Sequence, residues 1–574
     1  MTRIFNRPDE FADDQLAGFV DLYADRLRAV AGGVVARRTT DPQVAVVIGG
    51  GSGHYPAFAG LVGPGFAAGA VVGNIFTSPS AAQVYSVAKA ADQGKGVVLS
   101  FGNYAGDNMN FGLAAERLRK DGIETRIVVV TDDVASAADE EKRRGIAGDF
   151  TVFKVMGAAA AAGKDIDDVE RLGRAANSAT RTLGVAFSGC TMPGASAPLF
   201  TVPDGQLGLG LGIHGEPGIR DERMPGASEL GSMLADHVLE HAPVDAGIKV
   251  GAILNGLGTT KYEELFLLWG VIAGRLRAAG LELVEPEVGE LVTSLDMGGA
   301  SLTLMWLDGE LEEHWKADTY TPAYRKQKAP LAAMAESDVE DEASAVQMEA
   351  APEATEAARE LAVVVVHGLE NMAETLHSHE KKLGDIDAVA GDGDHGRGMV
   401  KGVDAALDAA RRAAEAGPIG GAWALKQAGR AWAEHAGGTS GVLWGAALEA
   451  AGQSLTDSRS TYTASDYVTA AEAFCSAITD LGGAVLHDKT LVDALVPFVG
   501  TLKENIDGAG FASAWRGAAV VATEQAKATA HLSPKVGRAR PLAEKSVGTP
   551  DAGATSLALI VSGLADLKMY ARAE

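Results

Sequence analysis

The sequence predicts an α/β domain of two subdomains, followed by an all-α domain. Up to about residue 324, short β-branched runs alternate with helical patterns, which is typical of parallel βαβ units. After Tyr324 the periodicity is lost in a stretch rich in Ala, Glu, Asp and Lys, which indicates a linker. From about Glu353 onward, helical patterns follow one another with few strand runs. At 574 residues, the chain is also too long for a single core.

The expected domain boundaries follow from these changes along the chain. The α/β domain covers 1–328, with subdomains at about 1–182 and 183–328. An acidic linker covers 329–354, and the all-α domain covers 355–574.

The individual elements are predicted from periodicity. The chain begins with a helical pattern over 11–36, in which Phe19, Leu22 and Leu27 recur. Strands are expected at 44–48, 70–76, 97–101 and 126–131, and helices at 81–93, 110–120 and 158–178. The second subdomain has expected strands at 185–188, 248–254 and 302–307. The all-α domain has expected helices at 355–378, 397–416, 422–436, 465–481, 489–505, 511–530 and 552–571.

Composition and charge exclude some classes of partner. A formal charge of -26 argues against nucleic acid and against an anionic membrane, because either would need a basic face. Only Cys190 and Cys475 are present, so a disulfide framework and a cysteine zinc site are excluded. The chain shows neither an apolar run long enough to span a bilayer nor a signal-peptide pattern. We therefore expect a cytoplasmic protein.

One acidic stretch stands out in the all-α domain. Asp387, Asp392 and Asp394 lie within the run Asp-Ala-Val-Ala-Gly-Asp-Gly-Asp-His-Gly. A tight glycine-rich loop can bring these carboxylates to one point, where they repel one another unless a hard cation lies between them. The run therefore indicates a Mg²⁺–nucleotide site, with an acidic surface turn as the alternative. An EF-hand is excluded, because Val403 occupies the position of the closing Glu.

Two loops of the α/β domain directly follow predicted strands. The run Gly-Gly-Gly-Ser-Gly-His-Tyr-Pro contains His54, and the run Gly-Asn-Tyr-Ala-Gly-Asp-Asn contains Asp107. Ligands bind at the carboxyl ends of strands in open α/β sheets, and consecutive glycines let the backbone approach a small ligand. His54 and Asp107 are the groups of these loops best suited to move a proton. A strained turn with a structural histidine remains the alternative.

Further loops hold candidate groups that are ambiguous when taken singly. His214 lies in a loop framed by Gly and Pro, where a histidine is more often structural than catalytic. In the all-α domain, the loops at 437–441, 488–490 and 548–553 can supply backbone N–H groups, or the Lys489 cation, to phosphates. Ordinary helix-capping turns are the alternative. No Walker A motif is present, so a nucleotide enzyme of this sequence would not be of the P-loop type.

The motifs taken together resemble the dihydroxyacetone kinase family. The runs Gly-Gly-Gly-Ser-Gly-His, Asn-Tyr-Ala-Gly-Asp, Gly-Ile-His-Gly-Glu-Pro-Gly and Gly-Asp-Gly-Asp-His-Gly occur in the order seen in that family and cover nearly the whole chain. The resemblance implies a ketose-binding K domain and an ATP-binding L domain on one chain. It further implies ATP-dependent phosphorylation of the terminal hydroxyl of a short ketose, ATP and two Mg²⁺ ions as cofactors, and a homodimer.

The resemblance also implies roles for matching residues. His214 would hold the substrate ketone as a covalent hemiaminal, while His54 and Asp107 would bind the substrate and assist removal of the hydroxyl proton. Gly51, Ser52 and Gly53 would form the substrate loop. Asp387, Asp392 and Asp394 would hold the metal. Nucleotide contacts would come from His395, Gly396, Thr439, Ser440, Gly441, Gly482, Leu491, Arg538, Asp551 and Gly553.

Two positions depart from the family pattern. Gly102 stands where a lysine is often found before Asn-Tyr, which puts dihydroxyacetone in doubt and suggests a longer ketose such as erythrulose. His487 stands where a glycine often precedes Asp-Lys-Thr, beside the expected adenine pocket. Two alternatives to the kinase are a lyase that cyclises FAD at the same metal site and a non-enzymatic ketose sensor that binds a transcription regulator.

Overall fold

The computed structural model describes residues 2–37, 41–328, 350–436, 438–536 and 540–565. The chain forms two compact units, Met1–Ala333 and Met334–Glu574. The first unit is α/β and the second is helical, so the predicted fold class is confirmed. Most of the expected linker lies outside the described residues, and the expected domain boundaries stay a prediction.

The first sheet of the α/β unit places three strand-end loops at one edge. Its strands are β1 (Leu27–Val30), β2 (Gly33–Ala36), β3 (Ala45–Ser52), β4 (Gly69–Ile75), β5 (Val97–Gly102) and β6 (Thr125–Val130), in the order β1-β2-β4-β3-β5-β6. Strands β3 to β6 are parallel. The loops that follow β3, β4 and β5 therefore meet at one edge of the sheet, where ligands bind in such folds.

The two faces of this sheet are covered by helices. The helices are α1 (Phe11–Leu22), α2 (Ala81–Ala91), α3 (Ala105–Lys120), α4 (Gly148–Ala161) and α5 (Ile166–Ser178). Side chains alternate along β3: Val46 and Ile48 pack with Phe150 of α4, whereas Val47 packs with Val84 of α2. Because both faces are buried, the parallel strands read as continuous apolar runs.

The predicted helix over 11–36 is wrong in its second half. The helix ends at Leu22, and residues 27–36 form the antiparallel hairpin of β1 and β2. Gly32 has φ +89°, which a glycine adopts easily and which turns the chain. Val34 and Val35 are then buried in the sheet, so tertiary packing overrides a helical pattern formed by Leu27 and its neighbours.

The second sheet of this unit is mainly antiparallel. Its strands are β7 (Thr180–Ser188), β8 (Gln206–Leu209), β9 (Arg220–Arg223), β10 (Lys249–Gly256), β11 (Glu282–Leu283), β12 (Glu287–Gly289) and β13 (Gly298–Trp306), and the order is β11-β10-β13-β7-β8-β9, with β12 also paired to β10. Helices α6 (Ala227–Glu240), α7 (Tyr262–Ala278) and α8 (Gly309–Lys316) accompany it, and a short hairpin β14 (Thr319–Tyr320) and β15 (Arg325–Lys326) ends the unit. The β8–β9 connection carries His214.

The second unit is made of helices, most of which pack around a common apolar core. They are α9 (Glu356–Asp387), α10 (His395–Ala416), α11 (Gly421–Ala436), α12 (Gly438–Leu455), α13 (Ala464–Gly482), α14 (Val492–Ala509), α15 (Phe511–Ala528), α16 (Ala543–Ser546) and α17 (Ala552–Ala565). Helix α12 was not expected, because the glycines at 437–441 were interpreted only as a loop. Within the described residues, no helix is both long and apolar enough to cross a membrane.

Candidate active site

Two histidines face each other in the α/β unit. His54 follows β3 and is 3% exposed, and its Nε2 lies 3.0 Å from Nε2 of His214. The ring planes are inclined by 77°, with centroids 4.9 Å apart. The segments that carry them are distant in sequence, so folding creates this pair.

The other ring nitrogens define where the protons are. His54 Nδ1 lies 2.7 Å from the Thr293 carbonyl oxygen, and His214 Nδ1 lies 2.9 Å from Oε1 of Glu216. A carbonyl and a carboxylate only accept, so both Nδ1 atoms carry hydrogen. The two Nε2 atoms would then oppose lone pair to lone pair unless one further proton lies between them. Burial, and then the charge of His214, lower the pKa of His54 to about 3, so a proton on Nε2 of His54 is disfavoured.

A glycine-rich turn holds Glu216 against His214. Oε2 of Glu216 accepts from the His214 backbone N–H at 3.0 Å, and Arg144 Nη1 lies 3.7 Å from the same oxygen. A Cβ on Gly212 would lie 2.1 Å from that carboxylate, so only glycine leaves room for it. Burial raises the pKa of Glu216, but the hydrogen bond and charge of His214 outweigh it and bring the pKa to about 2. Glu216 is therefore an ionised hydrogen-bond acceptor for the His214 ring.

Asp107 lies in the first turn of α3 and is mostly buried. It accepts a hydrogen bond from Ser78 Oγ at 2.8 Å, and Ser78 in turn accepts from Asn110 Nδ2 at 3.2 Å. Burial raises the pKa of Asp107, although Ser78 and the charge of His214 act against that rise. A carboxylate with a raised pKa is a better proton acceptor than an exposed one.

These groups share one cavity of about 420 Å³. It is lined by Gly49, Gly50, Gly51, His54, Phe58, Phe76, Thr77, Ser78, Gly102, Tyr104, Gly106, Asp107, Gly145, Asp149, Ile213, His214, Glu216 and Val292. The structure thus brings together Gly51, His54, Asp107 and His214. Ser52 and Gly53 instead line a neighbouring cavity of about 300 Å³, and Ser52 Oγ donates to the Gly73 carbonyl.

Several lining residues were not expected from the sequence. Phe76 stacks on His54 with centroids 5.1 Å apart and meets His214 edge-on at 5.0 Å. Ser78 follows β4 at the same sheet edge as His54, so its position after a predicted strand was an available signal. Glu216 was visible in the motif that contains His214. Tyr104 was likewise visible in the motif that contains Asp107, whereas Asp149 carried no comparable signal.

In the helical unit, the three aspartates converge as expected. One carboxylate oxygen from each of Asp387, Asp392 and Asp394 lies within 4.8 Å of the others. Asp387 is the last residue of α9, and its Oδ2 accepts from the Gly393 backbone N–H at 2.8 Å. A Cβ on Gly391 would lie 2.5 Å from Asp387 Oδ1, so the glycine allows the loop to close over this carboxylate. An all-oxygen cluster of this kind fits Mg²⁺.

Some of the residues expected to contact the nucleotide lie beside this cluster. His395 begins α10, its Nε2 lies 3.0 Å from Ser556 Oγ of α17, and burial lowers its pKa despite the Asp387 charge. Asp551 Oδ1 accepts from the Ala554 backbone N–H at 2.7 Å and so caps α17. Burial raises the pKa of Asp551 to about 6. Gly553 is the next residue but one and would meet Leu491 at 3.4 Å if it carried a Cβ.

Most of the other residues expected to contact the nucleotide lie at the ends of helices. Thr439, Ser440 and Gly441 form the first turn of α12, where amide N–H groups have no helical acceptor. Gly482 ends α13 and lies next to Leu443 of α12. Gly396 serves helix packing, because a Cβ there would lie 2.1 Å from the Glu380 carbonyl oxygen. Arg538 lies outside the described residues.

Lys489, the one cation that the loop at 488–490 could offer to phosphates, is engaged with backbone carbonyls instead. Lys489 is 4% exposed, and its Nζ donates to the carbonyl oxygens of Leu532 at 3.1 Å and Ser546 at 2.7 Å. A buried ammonium needs such acceptors, so Lys489 ties two segments together. The sequence could not show this, because both acceptors are backbone atoms of distant segments.

Comparison with known proteins agrees with this geometry. The Dak1 domain matches residues 17–323 and the DAK2 domain matches residues 389–566. The chain belongs to the dihydroxyacetone kinase family. The predictions of this family and of a kinase are therefore confirmed.

Similar proteins in the family include two from Mycolicibacterium smegmatis. A D-erythrulose kinase is 56% identical over 574 residues, covering 99% of this chain and 98% of the relative. An L-erythrulose 1-kinase is 51% identical over 580 residues, covering 99% of each. The dihydroxyacetone kinase from C. freundii, crystallised in complex with AMP-PNP and Mg2+, is 28% identical with a TM-score of 0.58, covering 98% of this chain and 99% of that chain.

We predict that Asp392→Asn weakens divalent-metal binding at least about tenfold, because one of three anionic ligands is lost. The measurement is calorimetric titration of the full chain with MnCl2. Asp408→Asn is the matched control, since Asp408 is an exposed aspartate of α10 paired with Arg412. Equal Mn²⁺ affinity in Asp392→Asn and the unmodified chain would contradict a metal site at the cluster.

Proposed function

We propose that this protein transfers the γ-phosphoryl group of ATP to the terminal hydroxyl of a short ketose, with erythrulose or dihydroxyacetone as the substrate. The observation that carries the proposal is the His54–His214 pair, which shares a cavity with Asp107. Two relatives that exceed half identity over nearly the whole chain are erythrulose kinases, which favours the four-carbon ketose. Because those two act on opposite enantiomers, the preferred enantiomer is left open.

In the first step, His214 captures the ketone. Its bridging proton passes from Nε2 to Nε2 of neutral His54, 3.0 Å away, which leaves a lone pair on His214. That lone pair adds to the carbonyl carbon, and the carbonyl oxygen takes the proton back from His54 and becomes a hydroxyl. The product is a hemiaminal whose imidazole ring is positively charged and faces the Glu216 carboxylate. Polyols such as glycerol have no carbonyl and cannot be held in this way.

In the second step, Asp107 accepts the proton of the terminal hydroxyl, which becomes the nucleophile. Asp387, Asp392 and Asp394 would hold Mg²⁺, and the resemblance to the family implies two ions. The metal would neutralise charge on the triphosphate of ATP. The unpaired amides in the first turn of α12 suit phosphate oxygens. The homodimer and the cytoplasmic location stay predictions.

The lyase alternative would use the same acidic cluster with FAD. Incubation of the protein with FAD and Mn²⁺ tests for it. The sensor alternative does not account for three converging carboxylates, because a sensor needs no metal for phosphoryl transfer.

The direct test is an assay of ADP release by the purified full chain. We expect ATP-dependent turnover with dihydroxyacetone or with an erythrulose enantiomer, and none with glycerol. An absence of ketose-dependent ADP release would overturn the proposed function. Equal turnover of glycerol would overturn carbonyl capture.

We predict that His214→Ala abolishes turnover or raises KM strongly, because the ketone loses its covalent anchor. The measurement is kcat and KM for the preferred ketose. His237→Ala is the control, since His237 lies on α6 and its Nδ1 donates to the Met233 carbonyl in the same helix. Wild-type kinetics in His214→Ala would be incompatible with a hemiaminal.

We predict that Glu216→Gln lowers kcat/KM about 10- to 100-fold, since the amide can still accept from Nδ1 but carries no charge to stabilise the imidazolium. Glu312→Gln is the control, because Glu312 pairs with Lys249 at the surface of α8. The pH profile of kcat/KM provides a second readout, because loss of a purely structural role would leave the shape of that profile unchanged. An unchanged kcat/KM and profile would remove Glu216 from the mechanism.

A further inference from the structure

Two residues that line the ketose cavity, Asp149 and Tyr104, each carry a polar atom with no hydrogen-bond partner among the described residues. These atoms are Oδ1 of Asp149 and the hydroxyl oxygen of Tyr104, and both are shielded from solvent. Asp149 is only 5% exposed. Buried polar groups are nearly always paired, so each such atom requires an explanation.

The position of Asp149 in the fold does not explain its carboxyl group. Asp149 is the second residue of α4, where an acidic side chain often caps the helix. Here Asp132 already serves that purpose, because its two oxygens accept from the backbone N–H groups of Ile146 at 2.9 Å and Gly148 at 2.7 Å. The Asp149 carboxyl is therefore left for the cavity.

The chemical form of both groups suits an uncharged hydroxyl. Burial raises the pKa of Asp149 well above its usual range, and the charges of Asp132 and Asp107 add to the rise. Burial, with the Glu216 charge, also raises the pKa of Tyr104. A carboxyl group accepts hydrogen bonds and a phenol both donates and accepts them, so both can pair with a sugar hydroxyl.

The surrounding backbone leaves this part of the cavity open. Gly102 and Gly145 line it without side chains, and a Cβ on Gly102 would lie 3.0 Å from the Gly145 carbonyl oxygen and 3.2 Å from the Tyr104 ring. The Tyr104 ring centroid lies 5.0 Å from that of His214. Tyr104 therefore packs edge-on against the ring that is proposed to capture the ketone, in the part of the cavity where Gly102 and Gly145 carry no side chain.

We propose that Asp149 and Tyr104 form a hydroxyl-binding subsite, which takes the hydroxyl that a four-carbon ketose has in addition to those of dihydroxyacetone. The inference rests on the proposed function and adds its substrate class. The subsite determines specificity, whereas His54, Asp107 and His214 act on every ketose.

The test compares kcat/KM for erythrulose and dihydroxyacetone. We predict that Asp149→Ala lowers the value for the preferred erythrulose enantiomer at least about tenfold and changes the value for dihydroxyacetone less than about twofold. Asp149→Asn, which keeps a donor and an acceptor, is expected to retain most of the erythrulose activity. Where dihydroxyacetone is not turned over, its inhibition constant against erythrulose replaces kcat/KM.

Two further variants keep the test decisive. Tyr104→Phe changes only the hydroxyl and is expected to show the same selective loss, so it serves if Asp149→Ala folds poorly in a thermal melt. Asp168→Ala on the exposed face of α5 is the control for loss of an aspartate.

The outcomes separate this inference from the proposed function. Equal losses on both ketoses, or no loss on either, in the Asp149 and Tyr104 variants would overturn the subsite while leaving the kinase intact. If the unmodified chain phosphorylates neither ketose, the proposed function fails and the subsite fails with it.

Discussion

The contact between the two imidazole Nε2 atoms is the constraint on which the α/β site depends. At 3.0 Å in a buried cavity, two lone pairs would repel, so the pair is stable only with a proton between them. The Thr293 carbonyl and the Glu216 carboxylate direct both remaining nitrogens outward. Gly212 has no side chain and therefore leaves room for that carboxylate beside the ring. One proton therefore explains both the resting geometry and the ability of His214 to become a nucleophile.

In the acidic cluster of the helical unit, groups that repel one another are again held close together, and here they are negatively charged. Three carboxylates within 4.8 Å repel one another, and the amide of Gly393 offsets only part of this. Each site thus holds like groups together by means of a rigid, glycine-containing backbone, and is completed by a charge of the other sign. In the imidazole pair that charge is Glu216, and in the cluster it would be a metal ion.

Much of this arrangement could be predicted from the sequence, because the signals are local. Continuous Val and Ile runs located strands β3 to β6, and the glycine loops after β3 and β5 located His54 and Asp107. The sequence was least informative where distant contacts decide the structure. Residues 27–36 pair with β4 through β2, which no local pattern reveals. Helix α12 begins inside a glycine cluster that is typical of a loop, and Lys489 finds its acceptors on segments more than forty residues away.

The site residues also fall into two groups, those with a local signal in the sequence and those without one. Those that act through a motif, such as His214 and the aspartates, were found because their neighbours in sequence are also their neighbours in space. Asp149 was not found, because a lone aspartate at the start of a helix is most often a cap. Only the structure shows that Asp132 already accepts from two amides of that turn, and that Oδ1 of Asp149 has no hydrogen-bond partner among the described residues. A buried polar atom without a hydrogen-bond partner lowers the stability of the folded protein. A substrate hydroxyl bound in this cavity would supply such a partner.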